Sequence, residues 1–175
     1  MIILITGDGK GKTTSALGQM MRVLGRGKSA LMIQFIKGPW ISGEDKFGEK
    51  YHISNDKFQI RKRGLGFVGI LGDKLPREEH ARAAKSALEE FGRERESGNW
   101  HLIVLDEINV ALSLELLTIQ EVLNAIKDYP EDSLLMLTGR GAPQELIDLA
   151  DLVTETKDIK HPYHDGQDAK PMVEF

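Results

Sequence analysis

Short apolar runs alternate with longer amphipathic segments along the whole chain. The apolar runs predict strands at residues 2–5, 29–35, 57–63, 101–105, 133–138 and 152–159. Apolar residues spaced three or four apart predict helices at 13–24, 76–97, 118–129 and 143–150. Because the strands are apolar on both faces and alternate with helices, we predict an α/β fold with a mostly parallel sheet between two helical layers.

The polar and glycine-rich segments of the chain follow the predicted strands. Right-handed crossovers place the residues after parallel strands along one edge of the sheet, which is where such sheets bind ligands. Four segments are expected to meet there, namely 6–14, 34–38, 106–107 and 138–141. Residues 37–56 and 64–75 read as loops, and 160–175 as an irregular tail. Since no linker or repeat interrupts the pattern, residues 1–175 are expected to form a single domain.

Composition removes several classes of function. Hydrophobic residues make up 41% of the chain and charged residues 29%, as in an ordinary globular protein. The chain has no cysteine, which excludes disulfides, thiolate metal sites and a cysteine nucleophile. The net charge of −4 argues against a nucleic-acid partner. No apolar run is long enough to span a membrane and no leader precedes the first strand, so we expect a cytoplasmic protein without a membrane partner.

The segment after the first strand predicts a polyphosphate site. It reads Thr6-Gly7-Asp8-Gly9-Lys10-Gly11-Lys12-Thr13-Thr14 and leads into the first helix. Loop amides and the helix N-terminus can bind phosphate, Lys12 supplies a cation, and the Thr13 hydroxyl can ligate Mg²⁺. Thr6 stands where the usual G-x-x-x-x-G-K-[ST] pattern has glycine. The alternative is a glycine-rich turn with a chance Gly-Lys-Thr; the strand, loop and helix order favours a nucleoside triphosphate site.

Two acids end the fourth predicted strand. Asp106 and Glu107 follow the apolar residues 102–105, which is the Walker B pattern of nucleotide-binding proteins. A carboxylate in this place can hold Mg²⁺ or a water bound to it. The alternative is that the two acids simply cap a buried strand.

Other candidate residues lie in the remaining loops. Arg140 can clamp a phosphate or a carboxylate, or it can be a surface arginine in a turn. Trp40 and Phe67 either shield a flat ligand or pack into the core. His161 is a turn histidine or a metal ligand without a second ligand at matching spacing. Because no protein nucleophile is arranged in the sequence, a second substrate is expected to supply it.

Taken together, the motifs resemble the P-loop ATP:corrinoid adenosyltransferases of cobalamin synthesis and salvage. The matching segments are residues 6–14, 34–38, 42–44, 66–67, 104–109, 137–143 and 160–163, together with Gly166, Glu174 and Phe175. The resemblance covers nearly the whole chain in order, and members of this family also carry threonine at the start of the loop. Where many members have an aromatic residue two positions after Phe67, this chain has Gly69.

The resemblance implies a RecA-like P-loop fold and a homodimer. It implies transfer of the 5′-deoxyadenosyl group of ATP to Co(I) of a corrinoid, with triphosphate as the leaving group. It also implies Mg²⁺ between Thr13 and Glu107 and a reduced flavoprotein as electron donor. The corrinoid is then the flat ligand that Trp40 and Phe67 are expected to shield. Two alternatives stay open at this point: a P-loop ATPase or small-molecule kinase, and a nucleotide-dependent corrinoid-binding module without catalysis.

Overall fold

The computed structural model describes residues 1–70, 72–170 and 172–173, without the side chain of Tyr163. The family resemblance at Glu174 and Phe175 therefore lies outside the described residues. Within the described part, six parallel strands form one sheet in the order β3-β2-β4-β5-β1-β6. The strands are β1 (Ile2–Thr6), β2 (Ala30–Gln34), β3 (Phe58–Lys62), β4 (Leu102–Asp106), β5 (Leu134–Thr138) and β6 (Leu152–Glu155).

The strand order places β5 between the strand that precedes the glycine-rich loop, β1, and the strand that ends in the acids, β4. One strand inserted between these two is the arrangement of RecA-like P-loop domains, so the predicted fold class is confirmed. In register, β1 pairs Ile2 with Leu135 of β5 and Ile3 with Leu152 of β6. The first strand of the chain thus lies between two strands from its last third.

Helices cover both faces of the sheet. The helices are α1 (Lys12–Gly25), α2 (Phe47–Lys50), α3 (Arg77–Ser97), α4 (Ile108–Ser113), α5 (Ile119–Ile126) and α6 (Gln144–Leu149). On one face Ala16 and Met20 of α1 pack against Met32 and Val104. On the other face the residues of α3 to α6, with Phe91 among them, form the larger apolar cluster. Every residue of β2 and of β4 is buried, because both of their faces are covered.

The structure corrects the sequence-based assignment at several elements. Helix α4 was not predicted, because one and a half turns are too short to show helical periodicity. Residues 43–50, predicted as loop, form a 3₁₀ turn and the short helix α2; Ser42 and Asp45 cap that turn reciprocally. The last strand was predicted to reach residue 159 but ends at Glu155.

The start of the helix predicted at 118–129 is confirmed, but the helix ends at Ile126. Thr118 begins α5 as expected: its hydroxyl accepts a hydrogen bond from the Glu121 amide at 3.2 Å, and the Glu121 carboxylate accepts one from the Thr118 amide at 2.7 Å. Among the described residues, no helix is both long and apolar enough to cross a membrane.

Candidate active site

A cavity of about 690 Å³ opens at the carboxyl edge of the sheet, above the N-terminus of α1. Its lining includes residues 8–14, Lys37, Glu44, Glu107, Arg140, Asp158, His161 and His164. Most of the predicted nucleotide-binding residues therefore meet in one place. Thr6 and Gly7 do not line the cavity: the Thr6 hydroxyl accepts a hydrogen bond from the Ala142 amide at 3.2 Å, and Gly7 packs against residues 155–156.

Lys12 is buried at the first position of α1. Its ammonium donates to the carbonyls of Gly7 at 2.7 Å and Gly9 at 2.6 Å, so the side chain folds back over its own loop. Burial and the nearby Arg140 lower the pKa of this lysine, while Glu107 and Asp8 oppose that shift. The positive charge of Lys12 therefore lies at the cavity floor, where it can bind a phosphate of the nucleotide.

Asp106 is fully buried, and three donors occupy its carboxylate. The hydroxyls of Thr13 and Thr138 donate to Oδ1 at 2.9 and 2.8 Å, and the Gln34 amide donates to Oδ2 at 3.0 Å. The sequence predicted Asp106 as a carboxylate that binds Mg²⁺, and the structure shows the three hydrogen bonds that hold its side chain in place. Since Thr13 donates its proton to Asp106, its oxygen lone pairs stay available to a cation in the cavity.

Glu107 occupies the turn between β4 and α4. Its backbone has a φ of 63°, and its amide donates to the Thr138 hydroxyl at 3.0 Å. The carboxylate lines the cavity. Burial, and next the charge of Asp106, raise its pKa to about 7, although Lys12, Arg140 and Lys37 act in the opposite direction. The protonated form of this carboxyl group is therefore favoured to a higher pH than in an exposed glutamate.

We expect Glu107→Gln to change how the stability of the ligand-free, metal-free protein depends on pH. Because the folded state holds this proton up to about pH 7 and the unfolded state releases it near pH 4.5, the glutamate costs stability as the pH rises between these values. The free energy of unfolding is measured by urea titration at pH 5 and pH 8. Relative to wild type, the value for Glu107→Gln should be higher at pH 8 than at pH 5. Glu131→Gln, at an exposed turn, is the matched control. The same pH dependence in all three proteins would contradict the burial of a protonated Glu107.

Arg140 lies on the loop after β5, where it is exposed and lines the cavity. The buried Asn109 side chain holds this loop by donating to the Gly139 carbonyl at 3.0 Å. The Ser113 hydroxyl lies 3.3 Å from the Gly141 carbonyl. Sequence reasoning gave no role to Asn109 or Ser113, since these contacts depend on helix α4.

The structure also brings residues to the cavity that the motifs alone did not assign. Lys37 and Glu44 form an ion pair of 2.5 Å between their charged groups at one wall. At another wall, His164 lies 2.8 Å from the carboxylate of Asp158. The sequence could have indicated these residues, because the segment with Lys37 and Glu44 and the segment with Asp158 and His164 each follow a strand and so reach the same edge of the sheet. His161 lines this wall too, but the described residues contain no cluster of three His, Asp or Glu side chains that could hold a metal.

Trp40 and Phe67 form an aromatic pair outside the cavity. Their ring centroids are 5.5 Å apart, and the side chains are 59% and 45% exposed, so neither packs into the core. The Trp40 ring lies over the backbone of Gly38 and Gly66, where an added Cβ would approach it to 2.9 and 2.7 Å. The two rings follow β2 and β3, and thus stand on the same sheet edge as the cavity.

The oxygen atoms at the cavity fit Mg²⁺. Magnesium takes hard oxygen ligands and keeps several waters when it binds a nucleotide. The Thr13 hydroxyl and the Glu107 carboxylate both line the cavity, and among the described residues the Glu107 carboxylate has no hydrogen-bond or ion-pair partner. Asp106 accepts two hydrogen bonds at Oδ1, one of them from Thr13, and one at Oδ2.

Comparison with known proteins gives one family. The model of a family described as "ATP:corrinoid adenosyltransferase BtuR/CobO/CobP" matches residues 1–175. A corrinoid adenosyltransferase of Sinorhizobium sp. is 36% identical over 176 residues, which cover 100% of this chain and 80% of that protein. The corrinoid adenosyltransferases of Pseudomonas aeruginosa and Escherichia coli K12 are 34% and 31% identical, with full coverage of this chain and 83% and 85% coverage of theirs.

Among solved structures, a DNA replication initiation factor is similar at a TM-score of 0.42 and 15% identity. The likeness covers 89% of this chain and 39% of that one, and it is too distant to carry an argument.

Proposed function

The chain belongs to the ATP:corrinoid adenosyltransferase family, and from this premise we infer that it transfers the 5′-deoxyadenosyl group of ATP to the Co(I) centre of a corrinoid, with release of inorganic triphosphate. The observation that carries the inference is the family match over residues 1–175. The geometry agrees with it, because the loop, the strand-end acids and Arg140 surround one cavity.

The chemistry assigned to this cavity is a displacement at carbon. The Co(I) electron pair forms the bond to C5′ of ATP, the bond between C5′ and its oxygen breaks, and that oxygen leaves with its electrons as part of triphosphate. Negative charge therefore grows on the leaving group as the reaction proceeds. Donors aimed at this charge lower the barrier most, and we assign that role to the loop amides, Lys12 and Arg140.

We propose that Thr13 and Glu107 hold Mg²⁺ and that Asp106 acts through Thr13. When bound, the cation would neutralise part of the charge on the triphosphate. The three residues contribute differently, because the Thr13 hydroxyl offers its lone pairs, Glu107 offers a carboxylate, and Asp106 fixes the Thr13 rotamer. Glu107→Gln should therefore raise the Mg²⁺ concentration needed for half-maximal turnover, and an unchanged Mg²⁺ titration would place the metal elsewhere.

We propose that Trp40 and Phe67 receive the corrinoid. A corrin ring is a wide, flat ligand, and an exposed aromatic pair offers a flat apolar surface to it. Trp40 belongs to the same loop as Lys37 and Glu44, which line the nucleotide cavity, so a ring stacked on it would lie beside the ATP. The alternative of core packing is ruled out for both rings by their exposure.

If Trp40 and Phe67 receive the corrinoid, Trp40→Ala should affect the corrinoid and not ATP. The KM for the corrinoid should rise roughly three- to tenfold, as expected for the loss of one aromatic contact, while the KM for ATP stays the same. Met21→Ala is a matched control, because it removes an equally exposed apolar side chain from helix α1. Steady-state rates with varied corrinoid and saturating ATP measure the effect. Unchanged corrinoid KM values in both Trp40→Ala and Phe67→Ala would exclude this surface.

One assay tests the proposed reaction against its alternatives. The protein is incubated with ATP, Mg²⁺ and chemically reduced cob(I)alamin; the corrinoid is followed by its visible spectrum, and the phosphate products are separated. Adenosyl transfer yields triphosphate in step with the adenosylated corrinoid. Release of orthophosphate instead would indicate an ATPase or kinase. Binding of both ligands without either product would indicate a non-catalytic module.

Three expectations from the sequence stay predictions. They are a homodimer, a cytoplasmic location, and a reduced flavoprotein that supplies the electron for Co(I). The first is measured by static light scattering of the purified chain, the second by cell fractionation, and the third by replacing the chemical reductant with a reduced flavodoxin-type protein in the assay above.

A further inference from the structure

The segment after β6 continues the sheet ladder into the phosphate loop. The Thr156 amide donates to the Thr6 carbonyl at 2.8 Å, which extends the pairing of β1 with β6. The Gly9 amide then donates to the Thr156 carbonyl at 2.9 Å. The loop, whose carbonyls also accept from Lys12, is therefore fixed near its middle by a segment from the other end of the chain.

Two of the three loop glycines are required by this contact. A Cβ at Gly7 would lie 2.3 Å from the Thr156 carbonyl oxygen, and a Cβ at Gly9 would lie 2.6 Å from the Lys157 carbonyl oxygen. The φ of 97° at Gly7 favours glycine as well. At Gly11 a Cβ would meet nothing within 4 Å, so there the φ of 112° alone favours glycine. The close approach behind the loop thus gives Gly7 and Gly9 a structural reason that does not depend on phosphate.

The Thr156 side chain shares a carbonyl with Lys12. Its hydroxyl lies 2.9 Å from the Gly9 carbonyl oxygen and 3.0 Å from that of Thr6. The Lys12 ammonium donates to the same Gly9 oxygen at 2.6 Å. When Lys12 turns to a phosphate, Thr156 remains as the side-chain donor that holds the Gly9 carbonyl.

We propose that Thr156 is a positioning residue for the triphosphate, an inference that rests on the proposed function. In a trans peptide the C=O and the following N–H point in opposite directions. Because the hydroxyl holds the Gly9 oxygen, the Lys10 N–H of the same peptide is held in the opposite direction, and Lys10 is one of the residues that line the cavity. Thr156 thereby keeps one phosphate-binding amide in place while Lys12 moves.

The test removes the hydroxyl and keeps the backbone contacts. Thr156→Val should weaken the binding of inorganic triphosphate to the intact protein, measured by calorimetry, about three- to tenfold, the worth of one hydrogen bond. Thr156→Ser should bind as wild type does. Thr154→Val is the matched control, because this threonine lies two residues earlier on β6 and is exposed.

Thermal melts separate positioning from plain stability. A purely structural role would lower the melting temperature of Thr156→Val by the same amount with and without triphosphate. A positioning role reduces the rise in melting temperature that triphosphate causes. The proposal is overturned if Thr156→Val binds triphosphate as tightly as wild type, or if Thr156→Ser or Thr154→Val loses as much affinity. If the binding difference persists but wild type forms no adenosylated corrinoid, the proposed function fails and the role of Thr156 in anion binding stands.

Discussion

Lys12→Ala should lower kcat for adenosyl transfer by about a hundred- to thousandfold, the usual effect of removing one donor to developing negative charge. The ammonium is buried at the cavity floor and, within the described part of the chain, is held by carbonyls of its own loop, so no ion pair has to be broken when it meets triphosphate. Single-turnover rates with ATP and cob(I)alamin at saturating concentrations measure the loss.

Two comparisons make the Lys12 result specific. Lys10→Ala removes an exposed lysine of the same loop, and solvent screening should make its effect many times smaller. Lys12→Ala should keep the melting temperature within a few degrees of wild type. A rate for Lys12→Ala close to that of wild type would refute the assignment of the leaving-group site.

Two substitutions of Asp106 separate the hydrogen bonds that its side chain accepts from its negative charge. Asp106→Ala leaves the donors of Thr13, Thr138 and Gln34 without an acceptor in a buried place, so we expect a loss of about 3 kcal/mol in stability and at least a hundredfold loss in kcat/KM. Asp106→Asn should be far milder. Its amide oxygen can accept from the two threonines, and its NH₂ can donate to Gln34, whose Oε1 has no partner in the described residues.

Urea titration and steady-state kinetics of the two variants measure the difference. If Asp106 acts by orienting Thr13, Asp106→Asn keeps most of the stability and most of the activity. If the Asn variant folds but is as inactive as Asp106→Ala, the carboxylate itself must bind the metal. Asp148→Asn, on the exposed side of α6, controls for the loss of one surface charge.

Local patterns explain what could be predicted from the sequence. The sequence patterns located all six described strands. The physical reason is clearest for β2 and β4, which are buried along their whole length because a central parallel strand is covered on both faces. Strand β3 is only partly buried and β6 is exposed. The loop and the two acids were recognised because each motif is continuous in sequence. The partners of Asp106 could not be predicted in this way: Thr13, Gln34 and Thr138 lie on three different elements, and only the packed sheet brings their side chains together. The same holds for Thr156, whose contact with Gly9 spans nearly the whole chain.

The position of β1 in the sheet also determines when the glycine-rich loop after it can fold during synthesis. Ile2 and Ile3 have as their partners Leu135 and Leu152, so β1 cannot pair until these much later residues have emerged from the ribosome. Contacts this distant in sequence form late in folding, because the long intervening segment must first be ordered. The N-terminal loop therefore acquires its nucleotide-binding shape among the last parts of the molecule, and an incomplete chain that ends before β6 carries the motif without the site.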